Sequence, residues 1–384
     1  SATRDIVGVI RGFEAESSAF NDEVSIKMYT YDGENLTFKF KDNATVDGYK
    51  VGKKGSGFAS LTDLVKYFKV NYDSLLGTVA SYRVNKYNQV YYLDTCLTAA
   101  DNKFDTMKKI YSSSSPVRVQ GGVVSTSGCY TVWDGNVVFG APIPGSLAFD
   151  DDLCYSIKSG PSSEYNYVDC YATDGSDKVC DVMVIRGDYG KWAYDKLLVE
   201  KITNILLPDG SITHGVYGWL YGYAKTAQYK KLEFDSITAY KSLVSSNVKP
   251  GDIINVKYDL NDRIINCNDT EGLPTGVTTS SVMYTAATDT LGSIGRSQAD
   301  YGLHYRAEIV YMTDKYIFYE TKGSTTLSAA SLSGTKVLCF DRASNKARLL
   351  SLADLKTRED NGEGTQILVN INNKVADTIV YYEN

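Results

Sequence analysis

The chain has 384 residues, 43% hydrophobic and 22% charged, which is the composition of a folded globular protein long enough for two to four domains. No stretch is poor enough in apolar residues to read as disordered, and no apolar run approaches the ~18 residues of a membrane span. The net charge is −6, with 40 basic residues spread among 46 acidic ones, so the dense basic face of a nucleic-acid binder is missing.

The opening Ser1-Ala2-Thr3-Arg4-Asp5 carries no signal-peptide pattern and runs into a strand-like segment. The N-terminus therefore reads as mature, or the chain as part of a longer protein. Strand patterns dominate from there. Met28-Tyr29-Thr30-Tyr31, the turn Asp32-Gly33, and Leu36 to Phe40 predict a β-hairpin. Tyr130 to Trp133, Asp134-Gly135 and Val137 to Phe139 repeat that pattern. Helical signals are short: Ser60-Leu61-Thr62-Asp63-Leu64 and Ser351-Leu352-Ala353-Asp354-Leu355 each predict a helical turn capped by its serine. Tyrosine is the outlier, with 31 copies against 12 Phe and 3 Trp. Spread through the whole chain, it reads as strand packing, apolar on its body and wet at its hydroxyl, rather than as a sugar-stacking platform.

An internal repeat organises the chain. Asp177-Lys178-Val179-Cys180-Asp181-Val182 matches Asn373-Lys374-Val375-Ala376-Asp377-Thr378, at an offset of 196 from Lys178 to Lys374. Ile6 to Ile10 aligns with Leu198 to Ile202, and Tyr82-Arg83-Val84-Asn85 with Tyr258-Asp259-Leu260-Asn261. The chain thus reads as all-β: small sandwich or barrel modules, with a two-module unit occurring twice and few helical turns. The modules are A (1–98), B (99–190), C (191–270, A-like) and D (271–384, B-like).

Chemistry is sparse. His214 and His304 lack partners at metal or catalytic spacing. No Gly-x-Ser-x-Gly, Gly-x-Gly-x-x-Gly or phosphate-loop pattern occurs. Asp150, Asp151 and Asp152 form the densest acidic cluster and are the candidate calcium ligands, though without a spaced Asp-x-Asp-x-Asp-Gly loop. Seven cysteines (96, 129, 154, 170, 180, 267 and 339) include no Cys-x-x-Cys pair, so zinc is not expected. Cys170 and Cys180 flank the Asp174-Gly175 turn and could face each other across a hairpin. Cys267 and Cys339 read as small buried hydrophobes.

Several segments, together covering nearly the whole chain, carry a resemblance. Pro250-Gly251-Asp252-Ile253 through Leu260-Asn261 resembles the Gly-Asp strand pair of the β-rich repeat regions in clostridial cell-surface proteins that carry S-layer homology domains. The Ser-rich stretch Ser112 to Ser115, the Tyr130 strand and the closing Asp-Lys-Val-x-Asp strand resemble the module that follows there. Ser351 to Leu355 and Lys374 to Val380 resemble the C-terminal module. The anchoring repeats are absent, so wall attachment is not implied. The resemblance implies an extracellular, non-enzymatic structural protein of a bacterial surface, self-associating into a layer or fibre, with cell-wall or surface glycan as a further contact. An adhesin that binds carbohydrate or protein is the first alternative, and a virion structural protein the second. The terminal strand, through Val375, Asp377, Ile379 and Tyr381, is the expected assembly edge, alternating and close to a chain end.

Overall fold

The computed structural model describes residues 6–17, 22–55, 57–98, 106–114, 117–120, 123–124, 130–131, 137–158, 165–187, 192–208, 210–222, 227–235, 240–241, 247–264, 282–292, 303–360 and 366–383. The structure is all-β, built from tandem modules. It divides into two compact units, one ending at Lys191 and the other beginning at Trp192.

The first unit opens with β1 (Ile6–Ser17), β2 (Asp22–Thr30), β3 (Asn35–Val46), helix α1 (Leu61–Val70), β4 (Val79–Val84) and β5 (Gln89–Asp94). β1 pairs with β2, β2 with β3, β3 with β5 in parallel, β5 with β4, and β4 with β1. The circuit closes, which removes the free edges of an open sheet. It is a five-stranded Greek-key barrel of the OB type. The predicted hairpin is the β2–β3 pair, with Met28 opposite Leu36. Alternation puts Ile26, Met28, Phe38 and Phe40 inside the barrel, where α1 adds Leu64 and Phe68 as a plug. The helix begins where its Ser-x-x-Asp pattern places it. Ser60 makes no side-chain cap, however. Instead Asp63 reaches back to accept the Ala59 N–H at 3.1 Å.

The second sheet of this unit comprises β6 (Lys108–Ser112), β7 (Val117–Gln120), β8 (Val123–Val124), β9 (Tyr130–Thr131), β10 (Val137–Ala141), β11 (Ser156–Lys158), β12 (Tyr165–Ala172), β13 (Val179–Cys180) and β14 (Val182–Arg186). Its strands follow the same path in shorter pieces. β6 and β7 both pair with β12, β7 with β8, β8 with β9, and β12 with β14. β9 runs parallel to β13, and β10 parallel to β14. The expected hairpin between the Tyr130 and Val137 segments is therefore not formed. Both pieces lie along one continuous partner, Val179 to Arg186, as an interrupted strand; residues 132–136 lie outside the described residues.

The second unit starts with β15 (Trp192–Leu206), β16 (Ile212–Tyr221), β17 (Gln228–Phe234), β18 (Ile253–Asp259) and β19 (Arg263–Ile264), and it too closes, with β17 and β19 parallel. A short strand β20 (Val282–Thr285) adds to β18. The last barrel has β21 (Leu303–Met312), β22 (Tyr316–Thr321), β23 (Leu327–Ser331), β24 (Lys336–Asp341), β25 (Lys346–Leu350), helix α2 (Leu352–Asp360), β26 (Gln366–Asn372) and β27 (Val375–Glu383). β21 pairs with β22 and β26, β22 with β23, and β26 with β27, while β23 and β24 both run parallel to β27. Here the cap forms as the sequence predicts: Ser351 Oγ accepts the Asp354 N–H at 3.0 Å. One strand circuit thus underlies the third and fourth sheets as well as the first, and the second traces it in fragments.

Within each unit, paired barrels share a dry seam. Val7, Val9, Tyr29 and Val79 of the first barrel meet Phe139, Tyr155, Tyr171 and Val184 in one buried cluster. Leu198, Tyr221 and Ile253 of the third meet Leu338, Phe340, Leu368, Val380 and Tyr382 of the fourth. Six tyrosines, Tyr29, Tyr155, Tyr171, Tyr221, Tyr284 and Tyr382, lie in these seams, because a strand facing inward on one side and against a neighbouring barrel on the other needs bulky residues on both faces.

Candidate functional site

A β-bulge in the first strand of both unit-opening barrels sets up the most chemically varied surfaces. In β1 the register shifts between Ile10 and Gly12, and in β15 between Val199 and Lys201. The surrounding backbone bonds match. The Gly77 N–H donates to Ile10 O at 2.8 Å, and the Gly251 N–H donates to Val199 O at 2.8 Å. Bulges re-aim a side chain, and here the extra residues are Arg11 and Glu200.

Arg11 is buried. It donates to Asn35 Oδ1 at 2.6 Å, to Asp152 Oδ1 at 2.5 Å and to Phe149 O at 3.2 Å, and its guanidinium lies 4.2 Å from the centre of the Tyr155 ring. Asp152 also meets Lys27 at 3.3 Å, and the hydrogen bond from Arg11 holds its carboxyl below the ordinary aspartate range. Asp151 accepts the Leu153 N–H at 2.9 Å, capping a single helical turn. Asp150 ends the preceding turn at the surface. The candidate calcium ligands therefore do not converge. Two cations already neutralise Asp152, and Asp151 is used by its own backbone. Among the described residues no group of three His, Cys, Asp or Glu is arranged to hold a metal.

Glu200 opens onto a cleft of about 700 Å³ within the second unit, lined by Glu200, Lys201, Ile202, Tyr217, Tyr229, Val248, Pro250, Ser344, Asn345 and Lys346. Its Oε1 accepts the Ala347 N–H at 3.2 Å, while Oε2 is buried with no partner among the described residues. Burial raises its carboxyl above the ordinary glutamate value. Tyr217 and Tyr229 come from neighbouring strands, Lys231 sits 5.8 Å from the Tyr217 ring, and Trp219 packs edge-on to Tyr229. Sequence reasoning missed this cleft. Its residues alternate with core positions on β16 and β17 and carry no motif.

The remaining expected residues are dispersed. His214 Nδ1 lies 2.7 Å from Asn204 Oδ1, and its ring stacks on Tyr240 at 3.7 Å, a surface role. His304 lies on β21, paired through its backbone with Asn370. Cys96, Cys154, Cys170, Cys180 and Cys339 are free thiols, while Cys129 and Cys267 lie outside the described residues. Cys170 and Cys180 lie in the same buried cluster as free thiols but are not ladder partners. The partner of Cys170 across the ladder is Met183, and the Cys180 thiol donates to Val182 O at 3.0 Å. Burial lifts the Cys339 thiol to about 11, which suits the hydrophobic role expected of it.

The expected assembly strand, β27, is not a free edge. β26 covers one side and β23 with β24 the other. Ile379 and Tyr381 are core residues, and Val375 pairs with both Ser331 and Asn372. Asp377 does not point with them. It is the bulge residue of β27, since Asn370 pairs with Thr378 and Ile371 with Ala376, and it accepts the Asn370 Nδ2–H at 2.8 Å. Several described strands are paired on one side only, Tyr49–Lys50 and β6 among them; β11 and β25 are two more, each lying outside the same strand of its barrel. No protein-family model matches the chain, and no curated protein is significantly similar to it in sequence.

Proposed function

We propose that this chain is a non-enzymatic structural protein of a bacterial cell surface that self-associates into a layer or fibre. The observation that supports this reading most is the repetition of one barrel circuit in two units, with a dry apolar seam joining the barrels of each. Such seams make stiff building blocks. Each unit also presents a one-sided strand at the same position, β11 in one and β25 in the other. A contact made at one recurs at the second, and a repeated contact that does not close yields filaments or sheets. The resemblance of Pro250 to Asn261 and of Lys374 to Val380 to clostridial surface repeats points the same way. Negative-stain microscopy of the purified chain, with and without calcium, tests this reading: ordered filaments or sheets support it, and dispersed single particles at high concentration refute it.

The cleft at Glu200 favours a second reading, a surface module that holds a saccharide. Tyr217 and Tyr229 offer ring faces, and the Glu200 carboxyl group that lines the cleft offers an acceptor for sugar hydroxyls. Quenching of intrinsic tryptophan fluorescence by N-acetylglucosamine oligomers or by solubilised cell-wall polysaccharide tests it, since Trp219 adjoins Tyr229. A saturable change lost in Glu200→Gln supports the reading, and no change with either probe removes it.

A further inference from the structure

Lys196, Asn370 and Asp377 meet in the apolar seam of the second unit. Lys196 is on β15, and its side chain shares a strand face with Leu198, turned toward the last barrel. Both Lys196 and Asn370 are almost wholly buried. The Lys196 Nζ lies 2.8 Å from Asn370 Oδ1, and Asn370 Nδ2 lies 2.8 Å from Asp377 Oδ1. The bulge in β27 is what turns Asp377 toward the amide, away from the barrel interior occupied by Ile379. Leu198, Tyr221, Leu368, Val380 and Tyr382 form the buried apolar cluster of this seam, where Lys196 and Asn370 are also buried, while Asp377 is half-buried.

The first unit keeps an aspartate, Asp181, where Asp377 stands, but shows that the fold does not require the amine and the amide. Matching the bulges of β1 and β15 places Val7 where Lys196 stands. Matching the last two strands of each pair of barrels places Tyr171 where Asn370 stands, since Tyr171 pairs with Val182 as Asn370 pairs with Thr378. Val7 and Tyr171 belong to the corresponding apolar cluster. The second unit thus keeps an amine against an amide where its relative keeps two hydrophobes, at the desolvation cost of burying them.

We propose that Lys196 and Asn370 join in an intramolecular isopeptide bond, with Asp377 moving the protons. The Lys196 nitrogen, as a neutral amine, attacks the Asn370 side-chain carbonyl carbon, and a C–N bond forms as the carbonyl π pair moves onto Oδ1. When that pair returns, the bond to Nδ2 breaks. Asp377 gives its proton to the departing nitrogen, which leaves as ammonia, and takes up the proton shed by Lys196. Atoms balance with the loss of one NH₃ and no redox change. Two physical requirements of amine attack on an amide are met: an amine positioned against the amide, and a carboxyl group at the nitrogen that leaves. Burial also moves both titrating groups in the needed direction. It lowers the Lys196 ammonium to about 8, against the opposing pull of Asp377 and Asp195, and it raises the Asp377 carboxyl above its ordinary value.

Intact-mass spectrometry of the full chain tests this directly. The expected mass is below the sequence mass by one ammonia, about 17 Da, and a tryptic digest should contain a branched peptide joining the Lys196 and Asn370 segments. Asp377→Asn, and separately Lys196→Val (the residue type of the first unit), should each return the mass calculated from their sequence while circular dichroism reports the native β signal. If either variant fails to fold, the wild-type mass and branched peptide decide alone. A wild-type chain at full sequence mass, or one dalton heavier from simple deamidation, with Lys196 in a linear peptide, overturns the proposal.

Discussion

Arg11 and Glu200 occupy the same bulge in two related barrels, and both reach across to the barrel that follows in their own unit: Arg11 to Phe149 O and Asp152, Glu200 to the Ala347 N–H. The geometry is kept while the charge is inverted. Arg11 makes three hydrogen bonds and a ring contact in a buried position, so Arg11→Ala leaves acceptors without donors. It should destabilise the first unit by about 3 kcal/mol. Glu200→Ala removes one hydrogen bond at a cleft edge and should cost about 1 kcal/mol or less. Urea unfolding of both variants checks the difference; equal losses would mean the two bulges do not play the unequal structural parts described.

Gly251 has φ of +92°, and a methyl group there would stand 3.0 Å from Phe340 Cε1 in the seam. Gly251→Ala should cost roughly 1–3 kcal/mol through the left-handed backbone and the crowded ring. Gly12, beside the bulge of β1, has open space around it, so Gly12→Ala should change stability by less than about 0.5 kcal/mol. Thermal unfolding of the two variants side by side is the check.

Near the chain's end, Glu383 accepts from Arg348 and Arg358, each at 2.5 Å, and those hydrogen bonds hold its carboxyl down to about 2. A carboxylate depressed in the folded state stabilises fully above its unfolded value of about 4.3, and that contribution disappears as pH falls through the folded value. The stability difference between wild type and Glu383→Gln should therefore be constant above pH ~5 and shrink steadily between pH ~4 and ~2. Melting curves across that range measure it, and a difference independent of pH would contradict the assignment.

Much of the fold was legible in the residues because strand alternation is a local signal. Met28 to Phe40 fold as the predicted hairpin, and the Ser-x-x-Asp starts open the two longer of the described α-helices. The aligned segments Tyr82 to Asn85 and Tyr258 to Asn261 end equivalent strands and enter their turns. Ile6 to Ile10 and Leu198 to Ile202 both lie on first strands, but the bulges place Ile10 opposite Val199, three residues from the sequence alignment. A pattern of period two cannot detect an added residue. The common circuit of all four sheets was hidden for a related reason: the second sheet breaks its strands into pieces such as Tyr130–Thr131 and Val179–Cys180, too short to show alternation. The Lys196, Asn370 and Asp377 cluster was hidden too, since three strands distant in sequence supply it. Its trace was a lysine before Leu197-Leu198-Val199 and an asparagine inside Ile367-Leu368-Val369-Asn370-Ile371, polar residues where a doubly buried strand should be apolar throughout.

Self-association of the chain is tested most directly by light scattering coupled to size-exclusion chromatography over a wide concentration range, with and without calcium. A self-associating chain grows in mass from the single chain of 42.3 kDa into multiples and then into large assemblies as concentration rises. A proline in each of two one-sided strands, at Ile157 in β11 and Leu349 in β25, should hold the mass at one chain without unfolding the barrels, since outer hairpin strands tolerate proline better than central ones. A wild-type chain that stays at 42.3 kDa at every concentration would contradict self-association.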